Sequence, residues 1–145
     1  MAMISSPRSF DPPAPLISCG IDSERIERFV SWIPGTENPL PLVFTDRELA
    51  HCRAQRDPAR ALCASFCCKE AVFKALGEPY NFTDCELLPD LSSDTCPIAL
   101  DKALCAAAGI DAAGAWIIWN TAAGRECAVV AYLFGNGTKS GAVLP

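Results

Sequence analysis

The sequence predicts one domain of the α+β class, with a small antiparallel sheet packed on a long helix. Three observations lead there. The apolar segments run as a strand, three helices, a strand, a helix and two strands, which is not the regular βαβ alternation of a parallel-sheet fold. Residues 58–76 carry helix signals at both ends and form the longest element. The last two apolar runs are joined by a short turn-like segment and read as a hairpin. With 145 residues, half of them hydrophobic, the chain has the length and apolar content for one packed core. The domain is expected over 16–134, between a disordered Pro-rich segment at 1–15 and a flexible tail at 135–145.

Pro7, Pro12, Pro13 and Pro15 keep the opening residues out of regular structure. Leu16 to Ile21 is a short apolar run consistent with a buried strand that stops at Gly20-Ile21-Asp22. From Ser23 onward Ile26, Phe29, Val30 and Ile33 fall at helical spacing until Pro34-Gly35 ends the pattern. Asp22 is therefore expected at a turn, directly after a strand and at the head of a helix. Thr45-Asp46-Arg47-Glu48 has the form of a capping box, in which the Thr45 hydroxyl and the Glu48 carboxylate satisfy free amides reciprocally as another helix starts. Asp57 suits the N-cap of the long helix, Pro58 its first position, and Gly77 followed by Glu78-Pro79 its left-handed stop. Beyond it, Cys85 to Leu88 reads as a strand and Ile98 to Ala108 as an alanine-rich helix closed by Gly109. Ala115 to Trp119 and Glu126 to Phe134 form the hairpin, joined by Asn120-Thr121-Ala122-Ala123-Gly124.

Composition narrows the function. Twelve basic and 17 acidic residues give a net charge of -5, which argues against wrapping nucleic acid or coating anionic lipid, because both need a basic field. No segment reaches the roughly 18 apolar residues of a membrane span. The opening lacks the basic start and apolar stretch of a secretory signal, so a cytoplasmic location is expected. Nine cysteines include Cys63-x-x-x-Cys67-Cys68, where two would share a helix face, but none forms a C-x-x-C pair. A metal or redox centre is one reading. The other, supported by the flanking alanine and phenylalanine, is small core residues kept reduced. His51 has no motif partner and reads as a surface residue.

On a helical wheel Phe66, Phe73 and Leu76 fall within about 40° of Leu62, and the four define the core-facing arc of the long helix. Lys69 falls inside that arc and Glu70 at its border, with Lys74 one turn beyond Glu70. A local Glu70 to Lys74 salt bridge with Lys69 snorkelling to water accounts for these residues in one way. Convergence of all three on one rim of the core accounts for them in another. Asp22 is a helix N-cap on the first view. On the second, Asp22 and Glu70 supply the one or two carboxylates that Mg²⁺ takes from a protein when substrate phosphates and water complete its sphere.

Three stretches resemble a known family. Gly20-Ile21-Asp22 with Arg28 and Phe29, then Val43-Phe44-Thr45-Asp46-Arg47-Glu48-Leu49, then Phe66-Cys67-Cys68-Lys69-Glu70-Ala71-Val72-Phe73-Lys74-Ala75-Leu76-Gly77 are similar, in that order, to the motifs of the 4'-phosphopantetheinyl transferases. The likeness is to the short holo-[acyl-carrier-protein] synthase type and covers Leu16 to Phe134. It implies the family's α+β fold and transfer of the phosphopantetheine arm of coenzyme A to a serine of an acyl carrier protein. It further implies Asp22 and Glu70 as Mg²⁺ ligands, Glu70 and Lys74 as catalytic groups, and Lys69, Lys74 and Asn120 as coenzyme A contacts. Arg25 and Arg28, at i and i+3 on the expected helix, would meet the acidic carrier, and a homotrimer is implied, with Trp116 and Trp119 of the hairpin at its contact.

The chain departs from the family pattern at three places. Ser65 stands where an arginine is usual, the loop after the long helix is shortened to Gly77-Glu78-Pro79-Tyr80-Asn81, and Asn120 replaces a histidine. A family member that binds a carrier without transferring the arm is therefore a second expectation, and a cysteine-rich metal or redox protein a third.

Overall fold

A computed structural model describes residues 14–34, 40–119 and 124–137. The expected tails at 1–15 and 135–145 lie almost wholly outside these residues, as do Asn120 to Ala123. In chain order the elements are strand β1 (Leu16–Arg25), a 3-10 segment (Ile26–Trp32), helices α1 (Leu40–Val43), α2 (Asp46–Arg53) and α3 (Pro58–Leu76), a short 3-10 turn (Phe82–Asp84), strands β2 (Cys85–Glu86), β3 (Thr95–Pro97) and β4 (Ala99–Leu100), helix α4 (Lys102–Ala108), and strands β5 (Ile110–Ile118) and β6 (Glu126–Gly135). The main sheet has the order β1-β6-β5-β3, antiparallel throughout, and β2 pairs with β4 in a separate ribbon. Helix α3 packs across one face of this sheet, against β1 and β6. The α+β class, the single domain and the sheet-on-helix arrangement are as the sequence predicts.

Local signals explain the helices. The α2 capping box is complete: Thr45 Oγ1 accepts from Glu48 N at 3.0 Å, and Glu48 Oε1 accepts from Thr45 N at 2.9 Å. Asp57 caps α3 through Arg60 N at 3.2 Å, Pro58 opens the helix, and Gly77 ends it at φ 77°. The alanine-rich helix starts four residues later than its composition suggests. Asp101 caps α4 through Ala103 N and Leu104 N, while Ala99 and Leu100 are drawn into pairing with Cys85 and Glu86.

The larger correction concerns β1. The strand does not stop at Asp22 but continues to Arg25, because β6 supplies a partner for every residue from Ser18 to the Arg25 to Glu126 pair. A 3-10 segment comes next, and Phe29 is its one fully buried side chain. Asp22 is consequently neither at a turn nor a helix cap, and Arg25 ends a strand instead of sharing a helix face with Arg28.

The buried core takes Leu62, Phe66, Val72, Val129, Ile117 and seven of the nine thiols. All nine cysteines are free, and seven are buried; Cys19 is exposed and Cys105 intermediate. The small-core reading of the cysteines holds, and no group of three or more His, Cys, Asp or Glu side chains among the described residues is placed to hold a metal. His51 is half-buried rather than a free surface residue, with Nε2 at 2.7 Å from Pro89 O.

Candidate active site

Strand alternation decides which β1 side chains meet the helix. Gly20, Asp22 and Glu24 pair with Ala131, Val129 and Cys127, all fully buried, so these three lie on the α3 side of the sheet. At Gly20 strand and helix are in backbone contact. A Cβ there would lie 2.8 Å from Ala75 N and closer still to Ala71 O, so only glycine permits the approach. We expect Gly20→Ala to push β1 off the helix and destabilise the fold by about 1–3 kcal/mol, as overpacking does; a chemical denaturation midpoint unchanged from the parent would contradict this.

Asp22 lies one strand repeat beyond that contact and so rests beside the α3 turn that carries Glu70 and Lys74. Lys74 Nζ donates to Asp22 Oδ1 and to Ile21 O, each at 3.0 Å. The Asp22 side chain is 15% exposed and that of Lys74 51%, so the lysine reaches the pair from the solvent side. Asp22 Oδ2 is buried and has no hydrogen-bond donor among the described residues. Glu70 is half-buried, and burial, followed by the charge of Asp22, pushes its pKa above the ordinary carboxylate range. An undonated carboxylate oxygen next to a carboxylate that resists ionisation is a place where a cation gains much. Lys74, then, is paired with Asp22 rather than with Glu70.

Lys69 is not at this rim. It is wholly buried, and Nζ donates to Glu48 Oε1 at 2.8 Å, to Phe82 O at 2.9 Å and to Cys85 O. With all three N–H groups engaged inside, the ammonium has no donor for a phosphate. The wheel places it correctly in the core-facing arc, but its partner is Glu48, which sequence reading treats only as half of a capping box. The signal for Glu48 is the pairing rule itself, since a lysine in an apolar arc needs a buried acid, but the sequence does not say which acid it is. Ser65, at the departure from the family pattern, also belongs to this buried group and donates to Glu48 Oε2 at 2.7 Å.

Glu24 joins the site without a motif to mark it. It shares the Asp22 face and contributes to the raised pKa of Glu70, and the period-two spacing of Gly20, Asp22 and Glu24 would reveal it once the strand is extended. Its carboxylate is held by Arg28 Nη1 at 2.9 Å, and the Arg28 guanidinium lies 5.2 Å from the Phe66 ring centroid. Arg25 is well exposed and 3.6 Å from Glu27. Asn120 lies outside the described residues.

Residues 18–119 match the model of the 4'-phosphopantetheinyl transferase superfamily. The chain belongs to that superfamily. Among curated relatives it is 42% identical over 62 residues to the holo-[acyl-carrier-protein] synthase of Moorella thermoacetica, an overlap of 43% of this chain and 48% of that one. It therefore spans about half the length of that relative. The fold is shared with the crystal structure of holo-ACP-synthase from Plasmodium yoelii at TM-score 0.65 and 21% identity, covering 84% of this chain and 97% of that one. It is also shared with the ACPS-CoA complex of Chronobacterium ammoniagenes, at TM-score 0.60 and 21% identity, covering 82% and 97%.

Proposed function

We propose that the chain transfers the 4'-phosphopantetheine group of coenzyme A to a serine hydroxyl of an apo acyl carrier protein, with Mg²⁺, breaking the diphosphate bond of coenzyme A and releasing adenosine 3',5'-bisphosphate. The observation that carries this reading is the buried, undonated Asp22 Oδ2 beside Glu70 at the seam of β1 and α3. Two carboxylates, with no richer donor set among the described residues, suit a hard divalent ion that keeps water and takes phosphate oxygens. Bound there, Mg²⁺ would neutralise the diphosphate. The activities named for the relatives point the same way.

The protein's own groups then divide the work. Asp22 and Glu70 would hold the cation, and Lys74, exposed and adjacent, is the ammonium placed to meet phosphate charge. Glu70, through a water, takes the proton from the attacking serine. Phosphoryl transfer asks for little more than such positioning and charge neutralisation. Asn120 is assigned to coenzyme A by its motif position, and Arg25 and Arg28 to the carrier, each beside a glutamate that an acidic partner would compete with. Lys69 has no part in phosphate binding on this reading, and Ser65 lies away from the site. A cytoplasmic setting fits nine free thiols.

The test is purified chain, coenzyme A, Mg²⁺ and an apo carrier, read by intact mass of the carrier. A phosphopantetheine increment that disappears on chelation supports transfer. Carrier binding without an increment across several carriers overturns it in favour of a binding-only protein.

A homotrimer belongs to the same proposal, with the outer sheet face as its contact. Ile21, Val130 and Trp116 form one row across three strands, and Leu16, Ile17 and Ile21 are 54%, 37% and 56% exposed. Trp119 is less available, since its Nε1 donates to Ser93 O at 3.1 Å. Cys19 stands on this face by alternation. We expect sedimentation at three times the chain mass and Cys19 protected from iodoacetamide until the sample is diluted. Cys52, buried and with its thiol pushed up to about 12, should react only on unfolding. A monomer in which Cys19 alkylates freely at every concentration would refute the trimer.

A further inference from the structure

Lys69 and Glu48 are fully buried, yet neither belongs to the site proposed above. Stability alone is a poor reason for them, because a buried ion pair is commonly matched or exceeded by apolar residues of the same volume. What an ion pair has, and a methionine or leucine lacks, is direction. Here direction is used completely. Lys69 spends its three donors on Glu48, Phe82 O and Cys85 O; Glu48 receives Lys69 and Thr45 N on Oε1, and Ser65 Oγ and Leu87 N on Oε2. The Tyr80 hydroxyl donates to the backbone carbonyl of Lys69 at 2.9 Å. These bonds together tie one point of α3 to the start of α2 and to the segment that returns from the end of α3.

Glu70 is the next residue. Whatever fixes the rotation of α3 at Lys69 fixes the azimuth of Glu70, about 100° around the helix. On the opposite side β1 is seated by the Gly20 contact with Ala71 and Ala75, which places Asp22. The two carboxylates are therefore located by two independent constraints, one steric on the strand side and one polar on the α2 side. Apolar packing of alanines and cysteines along α3 would tolerate small rotations that these directional bonds do not.

We propose that the Glu48 and Lys69 pair is a positioning device for Glu70, setting its carboxylate against Asp22. This rests on the transfer reading of the site. The test is the double variant Glu48→Gln/Lys69→Met, which removes both charges without leaving either buried alone. With folding verified by circular dichroism, Mg²⁺ is titrated calorimetrically in saturating coenzyme A, and kcat and the KM for carrier are measured. Loss of support behind a ligating side chain typically weakens metal binding by about 10–100-fold, and that loss is expected here, with a matching fall in kcat and little change in the KM for carrier. Parent-like Mg²⁺ affinity and kcat in the folded double variant would overturn the proposal and leave the pair a purely structural element. If the double variant does not fold, Ser65→Ala, which removes one donor and no charge, decides: weakened Mg²⁺ affinity supports positioning, and an unchanged affinity at full stability rejects it. Glu70→Gln is the control. A parent chain whose Mg²⁺ binding Glu70→Gln does not alter brings down the carboxylate site itself, and this inference with it.

Discussion

Lys69→Met alone is expected to lower stability by about 3–5 kcal/mol, the cost of stranding a buried partner charge. Against a total of roughly 5–15 kcal/mol this leaves the fold marginal, and at about 2–4 °C per kcal/mol the melting temperature should fall by about 10 °C. The cost follows from the bonding pattern. Glu48 keeps Thr45 N, Ser65 Oγ and Leu87 N but loses its counter-charge, and Phe82 O and Cys85 O lose the donor they share. Adding Glu48→Gln should restore part of the loss, because no charge is left buried, although the amide nitrogen cannot accept from Thr45 N or Leu87 N as the carboxylate oxygen it replaces did. A single variant that melts within 2 °C or so of the parent would mean that Glu48 finds water; no such exit exists for a pair with 0% exposure at both partners.

Glu70→Gln is expected to act in the opposite sense on stability and activity. Transfer should fall about 100-fold or more, the usual scale for losing one charge-stabilising group at a reacting centre. Stability should not fall. Burial and the Asp22 charge raise the Glu70 pKa in the folded chain, so the folded state binds that proton more readily than the unfolded one. The parent therefore loses stability as pH rises from the ordinary carboxylate range through the raised value, while below both values the penalty is absent. Glutamine carries no such penalty. At neutral pH Glu70→Gln should melt at or above the parent temperature, and the difference should close in acid. A variant that is both inactive and less stable would point to a structural glutamate instead of one kept for a ligand.

How much of this was legible in the chain varies with the range of the interaction. The long helix was readable from Asp57, Pro58 and Gly77, since each acts on neighbouring amides within a turn, and the capping box of Thr45 and Glu48 for the same reason. The continuation of β1 through Asp22 was not. Ile26, Phe29, Val30 and Ile33 do repeat at helical spacing, but the strand is extended by hydrogen bonds to β6, about a hundred residues away, and local periodicity carries no record of that partner. The start of α4 was misplaced for a related reason, because Ala99 and Leu100 are good helix formers that a two-residue strand captures.

The sequence by itself determined the family and the class of fold, the ends of α2 and α3, and the presence of a lysine in a core-facing arc beside a glutamate at its edge. Those features are written in residue type and short spacing. Only the tertiary structure decided that Asp22 faces α3, that Lys74 belongs to Asp22 and not to Glu70, and that Lys69 is turned inward to Glu48. Each of these is a choice among partners far apart in the chain. Strand register and the backbone contact at Gly20 make that choice, and neither exists until the chain has folded.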